Sequence, residues 1–196
     1  MSDSDATRHS LLVRLRNPQD EQAWPDFVRL YAPFVYSALQ RRGIQSADAA
    51  DVAQDVMRTV FSSLDGFNHN GRRGAFRNWL LRIVDSRYCD FLRRSGREVA
   101  GSGDTQMVNQ LDNQPARDEL GAELEVEYQR CIFQWAADRV RGDFQESTWR
   151  AFWMTYVDGQ TCEAAAESLD ISLGAVYVAR GRVLARLRER ISEVQD

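Results

Sequence analysis

Residues 159–190 read GQTCEAAAESLDISLGAVYVARGRVLARLRER, and this stretch decides the fold of the C-terminal part of the chain. Thr161 and Ser172 are residue types that cap helices, and each stands directly before a helical pattern, the first over 162–169. Ile171 lies in the short turn between the two helices and is expected to fill the core between them. The second helix carries an apolar stripe, formed by Leu173, Val176, Val183, Leu187 and Ile191. The pattern predicts a helix-turn-helix, in which the second helix enters the major groove of duplex DNA.

The second helix of this motif carries the residues expected to contact the duplex. Its first two turns would face the base edges, and Arg180 is the strongest candidate for a bidentate contact with guanine, with Tyr177 beside it. Arg186 and Arg190 lie farther along the helix and are expected to contact phosphate. The predicted duplex-contacting residues are Ser172, Leu173, Ala175, Tyr177, Val178, Arg180, Arg182, Arg186 and Arg190.

The charge of the chain is distributed in blocks, although the net charge over its 196 residues is only −4. All 25 basic residues are arginine. Residues 66–97 contain eight arginines against two aspartates, and residues 172–190 contain five arginines against one glutamate. Between them, residues 98–129 contain eight acids against one arginine. Since local patches set the field that a polyanion meets, two basic patches beside two motifs favour nucleic-acid binding over the alternative of solvated helix faces.

Helical periodicity runs through the rest of the chain, and no stretch alternates with period two over the length of a strand. The predicted fold is therefore all-α. Helices are expected over about 7–16, 24–42, 47–64 and 75–94, and further ones near Leu120 and after Ser147. The chain divides into a helical domain over 8–96, an acidic flexible linker over 97–117 and a helix-turn-helix domain over 118–194. Most of the following aromatic residues are expected in the two cores rather than in ligand contacts: Trp24, Phe27, Phe34, Phe61, Trp149, Phe152 and Trp153.

Three carboxylates share one face of the helix predicted over 47–64. Asp48, Asp51 and Asp55 are spaced so that they point the same way from the helix axis. Side chains that diverge along an exposed face do not converge on a metal ion, so a metal site is not expected. A solvated face and a docking face for a basic partner remain open.

The helix predicted over 75–94 and the loop before it are basic instead. Arginines 72, 73, 77, 82, 87, 93 and 94 alternate with aromatic residues, among them Phe76, Trp79, Tyr88 and Phe91. Such a mixture suits single-stranded nucleic acid, because arginine contacts the backbone and aromatic rings stack on bases. Some of the aromatic rings, Trp79 above all, are expected to lie in the core. Asn68, His69 and Asn70 offer amide and imidazole edges to an unpaired base.

Catalysis and membrane insertion are not expected. The chain contains no glycine-rich phosphate loop, no catalytic triad pattern and no cluster of metal ligands, so we predict neither an enzyme nor a cofactor. Cys89, Cys131 and Cys162 lie far apart in the sequence. This spacing favours free thiols in a reducing compartment. No apolar stretch is long enough for a membrane span, and the acidic start is not a signal peptide, so the predicted location is the cytoplasm.

Taken together, both modules resemble the bacterial RNA polymerase sigma factors of the extracytoplasmic-function group of the sigma-70 family. The resemblance rests on FVRLY over 27–31, DAADVAQDV over 48–56, FRNWLLRI over 76–83 and DFLRR over 90–94. The helix-turn-helix pattern over 159–176 completes it. The resemblance extends from about His9 to Glu193, which is nearly the whole chain.

The resemblance implies a division of labour between the two modules. The helix predicted over 47–64 would dock on core RNA polymerase through Asp48, Asp51, Val52, Gln54 and Asp55. The segment over 67–94 would melt the DNA duplex and read the −10 element. Its contacting residues would be Asn68, His69, Asn70, Arg72, Arg73, Arg77, Trp79, Arg82, Ser86, Arg87, Arg93 and Arg94. The duplex-contacting residues named above would read the −35 element. Core RNA polymerase and promoter DNA are the implied partners, and an anti-sigma factor is a further candidate.

A helix-turn-helix transcriptional regulator with a helical N-terminal effector domain is the alternative. The basic patch of the first module has no evident purpose in an effector domain. Such regulators are usually symmetric dimers, and this sequence has no coiled-coil heptads. Binding to core RNA polymerase separates the two hypotheses, because only a sigma factor requires it.

Overall fold

The computed structural model describes residues 11–67, 74–95 and 116–194, without the side chains of residues 116–120. Every regular element within these ranges is a helix, which confirms the all-α prediction. The α-helices are α1 (Leu11–Leu15), α2 (Ala23–Gln40), α3 (Ser46–Ser63), α4 (Ala75–Arg94), α5 (Ala116–Val140), α6 (Glu146–Tyr156), α7 (Cys162–Leu169) and α8 (Leu173–Ser192). Short 3-10 helices lie at Leu64–Gly66 and Arg141–Asp143. None of the described helices is long and apolar enough to cross a lipid bilayer.

The described chain forms two compact units, one ending at Cys131 and the other running from Ile132 to Val194. The boundary lies inside α5, whereas the sequence places the start of the second domain at residue 118. The reason is that the first half of α5 completes the core of the N-terminal unit. Tyr128 is buried, and its ring lies 6.1 Å from that of Tyr31 and 5.4 Å from that of Phe34. Most of the predicted linker, residues 97–115, lies outside the described residues.

The core of the N-terminal unit is built around aromatic side chains of α2 and α4. Phe27, Tyr31 and Phe34 of α2 are each at most 1% exposed. Phe76, from the first turn of α4, is 0% exposed and lies edge-on to the rings of Phe27 and Tyr31. The α4 helix begins and ends where the sequence predicts, with Gly74 in the left-handed conformation just before it.

In the C-terminal unit, α7 and α8 form a capped helix pair. The hydroxyl of Thr161 accepts a hydrogen bond of 3.1 Å from the Ala164 amide, and that of Ser172 accepts one of 3.1 Å from the Ala175 amide. Both predicted caps are thereby confirmed. Asp170 ends α7 in the left-handed conformation. Ile171 packs against the core that joins the two helices, as the sequence predicts.

The buried face of α8 differs from the predicted stripe at its first residue. Val176, Ala179, Val183 and Leu187 are buried, at spacings of three and four residues. Leu173 is 39% exposed, because it lies three residues before Val176 and one turn ahead of the point where the core begins. Its predicted core position is therefore wrong, and it belongs to the surface of α8.

Candidate nucleic-acid interface

The acidic face of α3 is narrower than the sequence predicts. Asp51 and Gln54 are exposed and Asp48 is half-buried. Val52 is only 3% exposed, because it belongs with Val56 and Val60 to the stripe that faces the core. The prediction that the Val52 side chain contacts a partner is therefore wrong in this conformation.

Asp55 is committed to contacts within the unit. Its carboxylate lies 2.9 Å from Arg58 on its own helix and 3.6 Å from Arg94 on α4. It therefore links the acidic helix to the end of the basic helix. Asp48 and Asp51 are left as the carboxylates of this face that have the freer access to a partner.

Next to this face lies an apolar groove that the sequence does not reveal. Phe61 is 67% exposed, contrary to its predicted core position, and it stands edge-on to Trp24 with ring centroids 5.0 Å apart. The groove has a volume of about 680 Å³. Its lining is mostly apolar and comes from α2 and α3: Trp24, Val28, Ala32, Tyr36, Ala50, Ala53, Gln54, Met57, Arg58 and Phe61. An exposed aromatic ring beside exposed polar side chains is typical of a protein-binding surface.

The basic helix α4 presents several of its arginines to solvent, and some of these also take part in ion pairs. Arg82, Arg93 and Arg94 are exposed, and Ser86 and Arg87 are half-buried. Arg87 and Arg93 each lie 3.1 Å from Asp90, so part of their charge is already balanced. The predicted base-binding loop, Asn68, His69, Asn70, Arg72 and Arg73, lies outside the described residues.

Trp79 is only half-buried, although it is the ring of α4 that the sequence most strongly assigns to the core. It lies 5.0 Å from Phe67 and 5.5 Å from Phe76 between ring centroids. One side of the ring therefore belongs to the core and the rest is accessible. A ring held in this way can also stack on a base.

Arg77, at the start of α4, is covered by the acidic first half of α5. Its guanidinium forms an ion pair with Glu125 and lies 5.7 Å from the centre of the Tyr128 ring. Two residues earlier on α5, Glu123 pairs with Arg41. The acidic segment identified in the sequence is thus in contact with the basic module rather than only solvated.

In the C-terminal unit, Arg180 is turned toward α7 and the end of α6. Its Nη1 lies 2.8 Å from the sulfur of Cys162. Its guanidinium stands 4.7 Å from the ring centre of Tyr156 and 5.9 Å from that of Tyr177. Hydrogen bonding to Tyr156 and to Cys162 raises the pKa of Arg180, and partial burial opposes this effect. A guanine contact by Arg180 would require it to leave these neighbours.

The other residues predicted to contact duplex DNA fall into two groups along α8. The N-terminal group is exposed and comprises Ser172, Leu173, Ala175, Tyr177, Val178 and Arg182. Toward the other end, Arg186 lies 2.8 Å from Asp143 and 2.9 Å from Glu189. Arg190 lies 2.8 Å from Glu193. Such partly exposed pairs are weak, so a phosphate can replace the carboxylate at little cost.

The cysteines show no sign of reactive chemistry. Cys89, Cys131 and Cys162 are free. Burial raises the pKa of Cys131 to about 11, so its thiol is protonated at neutral pH. Within the three described ranges, no group of three or more His, Cys, Asp or Glu side chains is placed to hold a metal ion.

Residues 27–98 match the family model described as Sigma-70 region 2. The ECF RNA polymerase sigma factor SigE of Mycolicibacterium smegmatis is 27% identical to this chain over 181 residues, which cover 87% of the chain and 62% of that relative. The ECF RNA polymerase sigma factor RpoE of Cereibacter sphaeroides is 33% identical over 92 residues, which cover 46% of the chain and 50% of that relative. Both matches therefore span less than two thirds of the relative's own length.

A solved structure of CnrH in complex with the cytosolic domain of CnrY is 22% identical to this chain, and the match covers 95% of this chain and 96% of that one. Its TM-score is 0.37. A likeness of this degree does not establish a common arrangement of the whole chain.

Proposed function

The chain belongs to the extracytoplasmic-function group of the sigma-70 family, and we propose that it binds core RNA polymerase and directs the initiation of transcription at specific promoters. The match of residues 27–98 to sigma-70 region 2 carries this proposal, because those residues contain both the acidic helix α3 and the basic helix α4. The catalytic chemistry would belong to the polymerase, and the compartment would be the cytoplasm, where the polymerase works.

Core polymerase would dock on the N-terminal unit at the exposed face of α3 and the groove beside it. Asp48, Asp51 and Gln54 would supply polar contacts, and Phe61 would supply the apolar anchor. The accessible part of this surface supports the proposal, because it combines carboxylates with an aromatic ring that the unit's own core leaves uncovered. An anti-sigma factor as a further partner is supported by family membership alone.

Promoter DNA would meet both units. The −10 element would contact the loop residues Asn68, His69, Asn70, Arg72 and Arg73, and then the α4 residues Arg77, Trp79, Arg82, Ser86, Arg87, Arg93 and Arg94. The −35 element would contact the exposed start of α8 as a duplex. The exposed arginines of α4 and the exposed first turns of α8 support this assignment, since each element presents a surface that fits the form of DNA assigned to it.

Run-off transcription tests the proposal directly. The full chain is added to core RNA polymerase with a library of promoter fragments, and transcripts are sequenced. We expect initiation at a subset of promoters that share −10 and −35 sequences, and none from core polymerase alone. Duplex binding without polymerase binding or transcription would favour the helix-turn-helix regulator instead.

The contact between α5 and α4 predicts that the chain restrains its own DNA binding. Replacing Glu123 and Glu125 by glutamine would release Arg41 and Arg77. We expect the variant to bind single-stranded DNA several-fold more tightly than the parent chain at low salt, with the difference shrinking as salt rises, because these charges are partly exposed. Fluorescence anisotropy of a labelled oligonucleotide measures the effect.

The matched control changes the net charge equally at two other exposed acids of the same unit, with Glu21→Gln and Asp65→Asn. If both double variants bind DNA alike, net charge explains the gain. The acidic segment then has no specific role in covering Arg77.

A further inference from the structure

The exposed start of α8 is apolar. Leu173, Tyr177 and Val178 are 39%, 53% and 54% exposed. Leu173 and Tyr177 are one turn apart on the same side of α8, next to the buried stripe, and Val178 lies farther round the helix, on the side away from Val176. A helix that touched only water here would not need three large apolar side chains on its outer face.

This face offers few groups that can hydrogen-bond to base edges. No charged residue occurs between Ser172 and Ala179, and Arg180 is engaged with Cys162 and Tyr156. The Ser172 hydroxyl already accepts the cap bond from Ala175. Electrostatic interaction with Cys162 and Glu163 of α7 raises the pKa of Tyr177.

The charge farther along α8 identifies a nucleic acid as the occupant. Arg182 is exposed and lies one turn after Val178, and three more arginines follow up to Arg190. An apolar patch that continues into an arginine-rich stretch of the same helix matches a DNA groove, where base edges lie between two lines of phosphate.

The major groove displays one apolar group that differs between bases, the 5-methyl group of thymine. Building on the proposed binding of duplex promoter DNA, we propose that α8 reads its −35 element through thymine methyl groups, which contact Leu173, Tyr177 and Val178. Arg182 and the arginines beyond it hold the phosphates. Arg180 positions Tyr177 and α7 instead of reading guanine.

The test replaces thymine by deoxyuridine, which removes only the methyl group. Duplexes bound by the full chain with core polymerase are first selected from a library randomised in the −35 region. Each thymine of the selected site is then replaced singly, and affinities are compared. Since burial of one carbon is worth about 0.8 kcal/mol, we expect about fourfold weaker binding at each contacted thymine. A duplex that carries cytosine in place of a contacted thymine is expected to bind more tightly when that cytosine is replaced by 5-methylcytosine.

Val178→Ala assigns the effect to the protein surface. At one position of the site, this variant is expected to bind duplexes with thymine and with deoxyuridine at nearly the same affinity. Val157→Ala removes a similarly exposed valine of the same unit, 44% exposed, and is expected to keep that difference. If a site is selected and bound but deoxyuridine has no effect at any position, this inference is wrong while the proposed function stands. A guanine preference that Arg180→Ala abolishes would overturn it as well. If no duplex is selected at all, the proposed function itself fails.

Discussion

Truncating Phe61 to alanine is expected to weaken binding of the full chain to core RNA polymerase by about 2 kcal/mol, or roughly thirtyfold. Phe61 is 67% exposed, and it stands edge-on to Trp24 at the rim of the groove on α2 and α3. Large aromatic side chains at the centre of an interface account for much of its binding energy. The fold loses little, since a side chain so exposed contributes little to the core. Titration of fluorescently labelled chain with core polymerase measures the change.

Val126→Ala is the matched control for this experiment. Val126 is 70% exposed and belongs to the same unit, but it lies on α5 and outside the groove. We expect its affinity for core polymerase to match that of the parent chain. Equal affinities for the Phe61 variant and the parent would place the docking surface elsewhere. Equal losses of affinity in both variants would show that the assay responds to a general change in the N-terminal unit rather than to loss of a contact at the groove.

The helix boundaries could be predicted from the sequence because each is set by residues close to it in the chain. The α4 helix begins after Gly74, and α7 and α8 begin after Thr161 and Ser172, whose hydroxyls make the predicted bonds. Caps and glycine stops act within three or four residues, so a sequence displays them in full. The same is true of charge, since both basic patches and the acidic segment are visible without a structure.

Burial was harder to predict, because periodicity defines a face but not what covers it. Val52 follows the valine stripe of α3 and is buried, although it sits among residues assigned to docking. Phe61 is adjacent to that stripe and remains exposed. Leu173 fits the stripe of α8 and yet lies beyond the end of the core. Each error arises because the sequence does not show which residues a neighbouring helix covers.

Long-range contacts were not predictable from composition. The boundary between the units lies at Ile132 because Tyr128 packs against Tyr31 and Phe34, almost one hundred residues earlier in the chain. Arg180 likewise meets Cys162 across the turn between α7 and α8. The sequence showed a basic residue at the right place for a base contact. It could not show that the guanidinium of Arg180 contacts the sulfur of Cys162 and the ring of Tyr156 in the folded chain.

Phe76→Ala is expected to lower the free energy of unfolding of the N-terminal unit by about 3–5 kcal/mol. Phe76 is 0% exposed, and its ring lies 5.5 Å from those of Phe67 and Trp79 and 5.2 Å from that of Tyr31. Removing it leaves a cavity among rings that cannot all move inward, so both burial and packing are lost. A loss of this size is a large fraction of the total stability of an ordinary domain.

Urea unfolding followed by tryptophan fluorescence measures this loss, with the transition of the N-terminal unit analysed separately from that of the C-terminal unit. Phe61→Ala is the matched control, since it removes the same side chain from a position that is 67% exposed, and it should cost less than about 1 kcal/mol. The variant at Phe76 should also lose polymerase binding, because α3 and α4 are held by the core that Phe76 fills. A similar stability for both variants would contradict the central position of Phe76, and with it the view that this aromatic core sets the geometry of the proposed docking and −10 surfaces.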